Sequence, residues 1–573
     1  MRHRHLDTAT LALGVVVLTD VLRVFLPSVI TVFGQAAATP AALLGAYALG
    51  WFLLALAAPA LVRRIGARPV AAVAAVALAA ARLALTAAPG GRTQLWLATA
   101  GLLAGLVWLA GTAERAARPA TGLGLALGAV THAALGTYDL VWRSGWAGWA
   151  GSGALVALFL AGTVRPASPR RRAARARPGG ARVWLLAGPA LLLTGMVALS
   201  PAVAGTASSY RRGPADGLAR PPAAGDLPLL FAGAVALFLF AALARPPRGY
   251  ARLWGPLAAL AGTAAYDLGY PNGAVPVAVA GLAAVVALAP GAAGPHSRPQ
   301  PRRPAVAARI AASGLLCALV ASGLSHAAPA ASRHHGPPPA QVRMVAYNVR
   351  MGYGLDGRLD PDGLARVVAG QRPDVVVLSE VDRGWLLNGG HDTLTLLAER
   401  LGMTYVFAPA ADPLWGDAVL SDLPLASART RRLAPVGAPT GAQALGVTVD
   451  LGGGAGLAVV ATHLQPPPGR EPVAQARAVA DFALGYAHGR PLVVAGDLNT
   501  EPGAPAYAEF TRAGLVDALA AARPLPTSPA DDPRAQIDHV LVTPGTAVSG
   551  PAAPRSTASD HLPVAVTVHP PPP

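Results

Sequence analysis

The chain has 573 residues, 53% of them hydrophobic and only 13% charged, with a mean hydropathy of +0.44, which excludes a single, wholly soluble domain. All 46 basic residues are Arg and the net charge is +17, but residues 1–339 carry 29 Arg against 7 acids while residues 340–573 carry 17 Arg against 22 acids and are net −5. The acidic half therefore lacks the basic footprint of a nucleic-acid binder, and the single cysteine, Cys317, excludes an intramolecular disulfide.

The chain begins Met1-Arg2-His3-Arg4-His5 and runs on in apolar residues to about residue 33. That stretch is too long for a signal-peptide core and is expected to be a retained first span. About eleven apolar stretches of spanning length are expected, near 9–33, 40–62, 69–88, 93–113, 120–141, 146–164, 183–204, 227–244, 253–270, 272–290 and 306–327. With the N-terminus in the cytoplasm, the loops on that side hold 21 Arg and the opposite loops before the last span hold 5. This asymmetry sets the expected orientation, with everything after residue 328 outside the cytoplasm.

Asp20, Asp139 and Asp267 lie in or beside expected spans. Each is either a functional intramembrane acid or an interfacial acid paired with an Arg such as Arg23 or Arg143. The Arg165–Arg182 run reads as a topology determinant or an anionic-lipid contact. Residues 329–340 form a Pro-rich linker, containing His334-His335, that reaches at most about 40 Å. Whatever follows it is expected to stay near the membrane surface.

Residues 341–573 alternate between strand-like and helix-like runs. Strands are expected over Val342–Val349, Asp374–Ser379, Asp417–Ser421, Leu445–Asp450, Leu457–Leu464, Leu492–Gly496, Ile537–Val542 and Pro563–Val568. Several are Val-rich on both faces, which predicts burial between layers. Helices are expected over Pro361–Gln371, Thr393–Leu401, Pro472–Tyr486 and Ala504–Ala513.

Polar residues stand at the ends of these apolar runs. The motifs are R-M-V-A-Y-N-V-R ending at Arg350, P-D-V-V-V-L-S-E-V-D-R ending at Arg383, G-D-A-V-L-S from Gly416, A-T-H-L from Ala461, G-D-L-N from Gly496, Q-I-D-H-V from Gln536, and S-D-H from Ser559. The chain holds only four Asn, and two of them, Asn348 and Asn499, fall in these motifs. Together the seven motifs, over about 230 residues, resemble the endonuclease/exonuclease/phosphatase superfamily, the DNase I-like fold. The resemblance implies an α/β/β/α four-layer sandwich joined to the α-helical polytopic membrane region.

It also implies roles. Glu380, with Asn348 beside it, is the expected metal ligand, and Asp560 is expected to ligate a cation or orient His561. Asp497 is expected to orient or deprotonate the attacking water and Asn499 to hold it. His463 and His561 are expected to donate to the phosphate, with Asp538 fixing the tautomer of His561. Whether His561 is a base or a phosphate clamp stays open. Carboxylate and carbonyl oxygens suit Mg²⁺, with Mn²⁺ possible. Asp417 stands where the family often has Asn, and Asp422 where it often has a basic residue, which argues further against a polyanionic nucleic acid.

The architecture, with the phrases S-E-V-D-R-G-W at Ser379–Trp385 and L-A-E-R-L-G-M at Leu397–Met403, is similar to that of membrane proteins implicated in remodelling the lipid part of glycosylphosphatidylinositol anchors. The expected function is a membrane-anchored, outward-facing phosphodiesterase acting on lipid or lipid-linked headgroups. The alternatives are an extracytoplasmic nuclease and a non-catalytic membrane scaffold. Specificity is expected in the loops Gly384–Asp392 and Pro409–Gly416.

Overall fold

The computed structural model describes residues 2–33, 47, 50–51, 54–55, 57–112, 145–164, 339–383, 388–389, 391–410, 415–434, 441–465 and 471–571. The chain divides into two compact units, one of N-terminal helices and one C-terminal domain.

The described N-terminal helices are α1 (Arg2–Phe33), α2 (Ala58–Ile65), α3 (Ala67–Ala87), α4 (Gly91–Thr112) and α5 (Gly145–Val164). Four contain a stretch long and apolar enough to cross a membrane: Ala9–Val29, Ala67–Ala87, Gly91–Thr112 and Gly145–Thr163. These correspond to the first, third, fourth and sixth expected spans, while α2 overlaps only the end of the second. The fifth and the seventh to eleventh expected spans lie outside the described residues. So do Asp139, Asp267, Arg143, Cys317, the Arg165–Arg182 run, His334-His335 and the linker as far as residue 338.

Val17, Val21 and Phe25 of α1 pack with Leu78 of α3, Leu102 and Trp108 of α4 and Phe159 of α5. Trp108 and Phe159 meet edge to face at 5.4 Å. Small residues let the helices approach closely. A Cβ on Gly111 would lie 2.8 Å from the backbone nitrogen of Ala71, so only Gly fits there. Asp20 is buried in this bundle and pairs with Arg82 of α3, a partner the sequence did not single out: Arg82 Nε lies 3.0 Å from its Oδ2.

The C-terminal domain is built on two six-stranded sheets. The first runs β11-β12-β1-β2-β4-β3, with β1 (Val342–Asn348), β2 (Val375–Asp382), β3 (Thr404–Pro409), β4 (Trp415–Ser421), β11 (Ala547–Ala552) and β12 (Val564–His569). The second runs β5-β6-β7-β8-β10-β9, with β5 (Leu425–Arg432), β6 (Gln443–Gly452), β7 (Ala455–Thr462), β8 (Leu492–Asp497), β9 (Val516–Asp517) and β10 (Asp538–Val542). Helices α6 (Pro361–Gly370) and α7 (Thr393–Leu401) flank the first sheet, and α8 (Val473–Ala487) and α9 (Pro505–Arg512) the second.

Alternation along each strand builds the layers. Val342, Met344 and Ala346 of β1 face the core between the sheets, with Val459, Val493 and Val540 from the second sheet. Val345 and Tyr347 turn the other way, onto Leu364 of α6 and Leu397 of α7. Both faces are dry, hence the uninterrupted Val runs. Two of the helices, α6 and α7, start where the sequence supplies a cap: Asp360 accepts from the Gly363 N–H at 2.8 Å, and Asp392 accepts from the Thr395 N–H at 3.0 Å.

Two expectations shift. β2 extends to Asp382, so Glu380 sits inside the strand and not at its end. β7 stops at Thr462, so His463 follows it. Four strands had no expectation: β3, β5, β9 and β11. They are the four edges of the two sheets.

Candidate active site

Each sheet contains one parallel pair, β1–β2 and β7–β8. Parallel strands bring their C-terminal ends to one edge, where α/β folds present their chemistry. Here those ends supply Asn348 and Asp497, with His463 just after β7 and Glu380 two residues before the end of β2. Antiparallel neighbours reach the same edge with their N-terminal ends. β10 begins at Asp538, in register with Asp497, and β12, paired with β1, is preceded by Asp560 and His561. Topology thus collects motifs that the sequence spreads from residue 348 to residue 561.

Local strain positions two of these residues. β2 shifts register against β4 between Leu378 and Val381, and Glu380 within this bulge has φ 55°. A bulge re-aims a side chain out of the regular alternation, and a non-glycine residue at positive φ is strained. Asn499 follows β8 with φ 46°, a conformation Asn tolerates better than most. Gly496, at φ 138°, passes so close to β7 that a Cβ would overlap the Thr462 carbonyl oxygen, which explains the Gly of G-D-L-N.

Asp497 is the hub. Its Oδ2 accepts from Asn348 Nδ2 at 3.0 Å and lies 3.5 Å from His463 Nε2 and 3.8 Å from His561 Nε2. Its Oδ1 accepts from the Asn499 N–H at 3.0 Å. Asn499 Nδ2 in turn reaches the Leu464 carbonyl at 2.8 Å and lies 3.1 Å from His463 Nε2. His561 Nδ1 is 2.8 Å from Asp538 Oδ2, which leaves Nε2 on the Asp497 side. Asn348 is occupied at both ends, since its Oδ1 accepts from the Arg350 N–H at 3.0 Å. It bridges to Asp497 across the two sheets.

Asp560 does not contact the imidazole of His561 directly. It pairs with Arg350, whose Nε is 3.2 Å from Asp560 Oδ2. Arg350 stood in a quoted motif without an assigned role. It is buried and also donates to the Gly354 carbonyl at 3.0 Å. Ser559, of the same S-D-H motif, donates to the Asn348 carbonyl at 2.7 Å and ties the β12 loop to β1. Three more residues had no assigned role: Gln443, outside every quoted motif, which donates to Asp417; Trp415, of the expected specificity loop, whose ring centroid is 5.8 Å from that of His463; and Arg383, which closes a quoted motif and is buried against Tyr405 and Phe407.

The electrostatics follow from crowding acids in poor solvent. Desolvation raises the Glu380 carboxyl, and nearby Asp560 adds to the rise, against His463, which opposes it. Burial pushes the Asp417 carboxyl up to about 7, with His463 and Gln443 opposing. Burial alone would depress His463, but Asp497, Glu380 and Asp417 outweigh it and raise it. In His561 burial is likewise overcome by Asp538 and Asp497, and its pKa stands well above the usual imidazole value. Both imidazoles therefore favour the cationic form.

Asp497, Asp538 and His561 each offer a ligand atom, and these lie within 4.8 Å of one another. Asp538 Oδ1 is buried without a hydrogen-bond partner. An orphaned carboxylate oxygen beside other carboxylates fits a hard divalent cation. This buried group could hold a metal ion.

Residues 345–561 match the model of the Endonuclease/Exonuclease/phosphatase family. Among solved structures, an endonuclease/exonuclease/phosphatase from Beutenbergia cavernae is 26% identical over 40% of this chain and 71% of that one, with a TM-score of 0.34. The human Nocturnin catalytic domain with bound sulfate is 21% identical over 40% of this chain and 93% of that one, with a TM-score of 0.33. A mannosyl-6-phosphatase from Bacteroides thetaiotaomicron is 18% identical over 40% and 99%, with a TM-score of 0.34. No curated protein matches the chain. The chain thus carries, at residues 345–561, a domain of the endonuclease/exonuclease/phosphatase family, whose members are phosphatases or nucleases, together with, among the described residues, four helices of membrane-spanning character.

Proposed function

We propose that the C-terminal domain is a Mg²⁺-dependent phosphoesterase, able to use Mn²⁺, that hydrolyses a phosphodiester of a lipid or lipid-linked headgroup outside the cytoplasm. The observation that supports it most is Asp497 held between two raised imidazoles, with Asp538, Glu380 and Asp560 close by. Acids that outnumber their cationic partners, with two imidazolium groups converging on Asp497, suit an anionic phosphoryl group and a divalent ion.

Glu380 and Asp560 are the residues that would hold the cation, beside the Asp497, Asp538 and His561 group, and the cation would offset charge on the phosphoryl oxygens. Asp497 orients the attacking water and takes its proton through the carboxylate that Asn348 and the Asn499 N–H fix in place. Asn499 limits the water to one position. His561, held by Asp538, donates from Nε2 to the phosphoryl oxygens, and His463 donates from the other side. Arg350 keeps Asp560 turned toward the site.

The lipid assignment rests on the linker and on charge. A 12-residue linker keeps the domain within about 40 Å of the last expected span. A net charge of −5 on residues 340–573 disfavours a nucleic-acid backbone.

The test uses the purified full-length chain with a chromogenic phosphodiester and with lipid extracts, in Mg²⁺, in Mn²⁺ and in EDTA. Turnover is expected with either metal and not with EDTA. Equal turnover with metal and with EDTA would sink the metal mechanism, and faster cleavage of duplex DNA than of any phospholipid would favour a nuclease.

A further inference from the structure

The C-terminal domain is net acidic, yet β5 ends in Arg429-Thr430-Arg431-Arg432, with all three arginines exposed. Among the described residues none of the three forms an ion pair with an acid. Arg431 Nη1 donates only to the Ala478 carbonyl of α8, at 3.4 Å. β5 is an edge strand, with a partner on one side only.

The register relates this strand end to the active site. Arg432 faces Gln443, the first residue of β6. One residue on, Ala444 faces Thr462, which precedes His463. Asp497 then faces Asp538 on the far side. Arg432, Gln443, His463, Asp497 and Asp538 thus lie along one row across the second sheet. Alternation places them on the same face: Ala461, Ala495 and Val540, each two residues from a member of the row, all point into the core between the sheets. Gln443 donates to Asp417 of the first sheet, which fixes the direction for its cross-strand neighbour Arg432. With strands spaced at about 4.8 Å, the Arg432 backbone lies ~10 Å from that of His463. Arg429 and Arg431, of opposite parity, lie on the α8 face. The three guanidinium groups therefore flank an open sheet edge from both sides, at the end of the sheet that carries the site.

We infer that this strand end is a docking rim for anionic lipid headgroups, which seats the active site on an anionic lipid surface. The inference rests on the lipid-directed reading above and extends it to the lipid charge. A planar array of phosphates satisfies guanidinium groups that a compact substrate could not reach together. A headgroup cut at the His463–Asp497 cluster would have its membrane neighbours ~10 Å away, the distance to Arg432. The bland alternative is that the arginines only blunt an edge strand against pairing with another chain.

The experiment needs no turnover, so its failure is distinct from failure of the phosphoesterase reading. Full-length protein carrying Cys317→Ser and Thr430→Cys is placed in nanodiscs of phosphatidylcholine alone or with about 30% phosphatidylglycerol. The rate of modification by a neutral, bulky maleimide is then measured. Each arginine near an anionic surface is worth about a fivefold change in partition, so three should approach a hundredfold. Labelling at residue 430 is expected to slow at least fivefold in the anionic discs, with the effect lost in 0.5 M salt and in the Arg429→Gln, Arg431→Gln, Arg432→Gln variant. A cysteine at Ala547, on the edge strand β11 of the other sheet, is expected to label alike in both discs, in the variant as in the parent, which shows that the fold is kept. Equal rates at residue 430 in both lipids, slowing that survives the triple substitution, or stronger protection by duplex DNA than by phosphatidylglycerol would each overturn the inference.

Discussion

The two units both bury charge but balance it in opposite ways. In the helical unit Asp20 meets Arg82 at 3.0 Å, and the two side chains are 6% and 0% exposed. Arg82 also donates to Thr86 at 3.0 Å within its own helix. Here a buried acid is met by buried arginine, Arg82 in direct contact and Arg23 nearby, inside an apolar bundle. In the C-terminal domain Glu380, Asp417, Asp497, Asp538 and Asp560 converge on two imidazoles and Arg350. A closed pair can serve as a clasp between helices. A surplus of carboxylates costs stability, and a fold that keeps one is keeping it for a bound cation or for proton transfer. The contrast predicts that neutralising an acid should have opposite consequences in the two places.

The largest effect is expected from Glu380→Gln. In the mechanism proposed above the carboxylate would hold a cation that supplies several kcal/mol of transition-state stabilisation, so turnover with Mg²⁺ should fall on the order of 10³-fold. The change is nearly isosteric and relieves repulsion from Asp560, so the thermal midpoint should hold or rise. Near-wild-type turnover at limiting Mg²⁺ would remove Glu380 from the ligand set. The reverse pattern is expected from Asp20→Asn, which leaves Arg82 charged in the bundle. Breaking one side of a buried pair costs about 3 kcal/mol, read as earlier unfolding of the full-length protein in detergent, while turnover per folded molecule stays unchanged. Replacing both Asp20 and Arg82 by Leu should recover most of the loss. If Asp20→Asn unfolds like the wild type, the pair is no clasp.

This contrast was legible in the sequence only in part. The motif residues were found because each closes an apolar run, and the runs were found because β1, β2, β7, β8 and β10 are dry on both faces. The strands left unseen are the four sheet edges. β5 reads L-A-S-A-R-T-R-R and β11 reads A-V-S-G-P-A, sequences that lack a two-sided apolar pattern because one side of each strand meets solvent. Within the site, sequence order gives no distances. The expected hold of Asp538 on His561 is there, but nothing in the sequence told that Asp560 would go to Arg350, nor that Asp20 would find Arg82 sixty-two residues away. Those pairings are decided by which strand or helix packs beside which. The bulge at Glu380 was invisible for a related reason, since it is a mismatch against β4 and not a property of β2 alone.

A middle-sized effect is expected at Asp538. His561 owes its raised pKa to Asp538 and Asp497, against burial, so its cationic form persists above neutral pH and is lost as pH rises through the folded value. Asp538→Asn removes the larger of the two attractions. The basic limb of the pH–kcat/KM profile should move to lower pH, and the loss at pH 8 should exceed the loss at pH 6. An unshifted limb would mean that His561 acts in its neutral form or not at all.

The smallest effect sharpens the comparison most, because it asks whether the acid surplus costs stability. Asp417 is buried, accepts from Gln443 and has its carboxyl pushed up to about 7 by burial. An acid whose pKa is raised on folding binds its proton more tightly in the folded state. Its contribution to stability therefore falls as pH climbs from roughly 4 to 7 and is flat above that. Asn at the same position has no proton to lose. The variant must give up a carboxylate oxygen, but Gln443 Oε1 is buried without a partner and can accept from the new amide once the Gln443 side chain turns over. Desolvation relieved at ~1.4 kcal/mol per pKa unit is offset by that rearrangement and by the loss of an acceptor, leaving about 1 kcal/mol in favour of Asn at pH 8. For a domain of this size that is a gain of ~2–4 °C in the midpoint. Unfolding of the full-length Asp417→Asn variant and the wild type, both in EDTA, should show this gap at pH 8 and its disappearance or reversal at pH 5. A gap that does not change with pH would mean that Asp417 carries no such cost, and that the acids of this site are balanced within the fold as Asp20 is by Arg82.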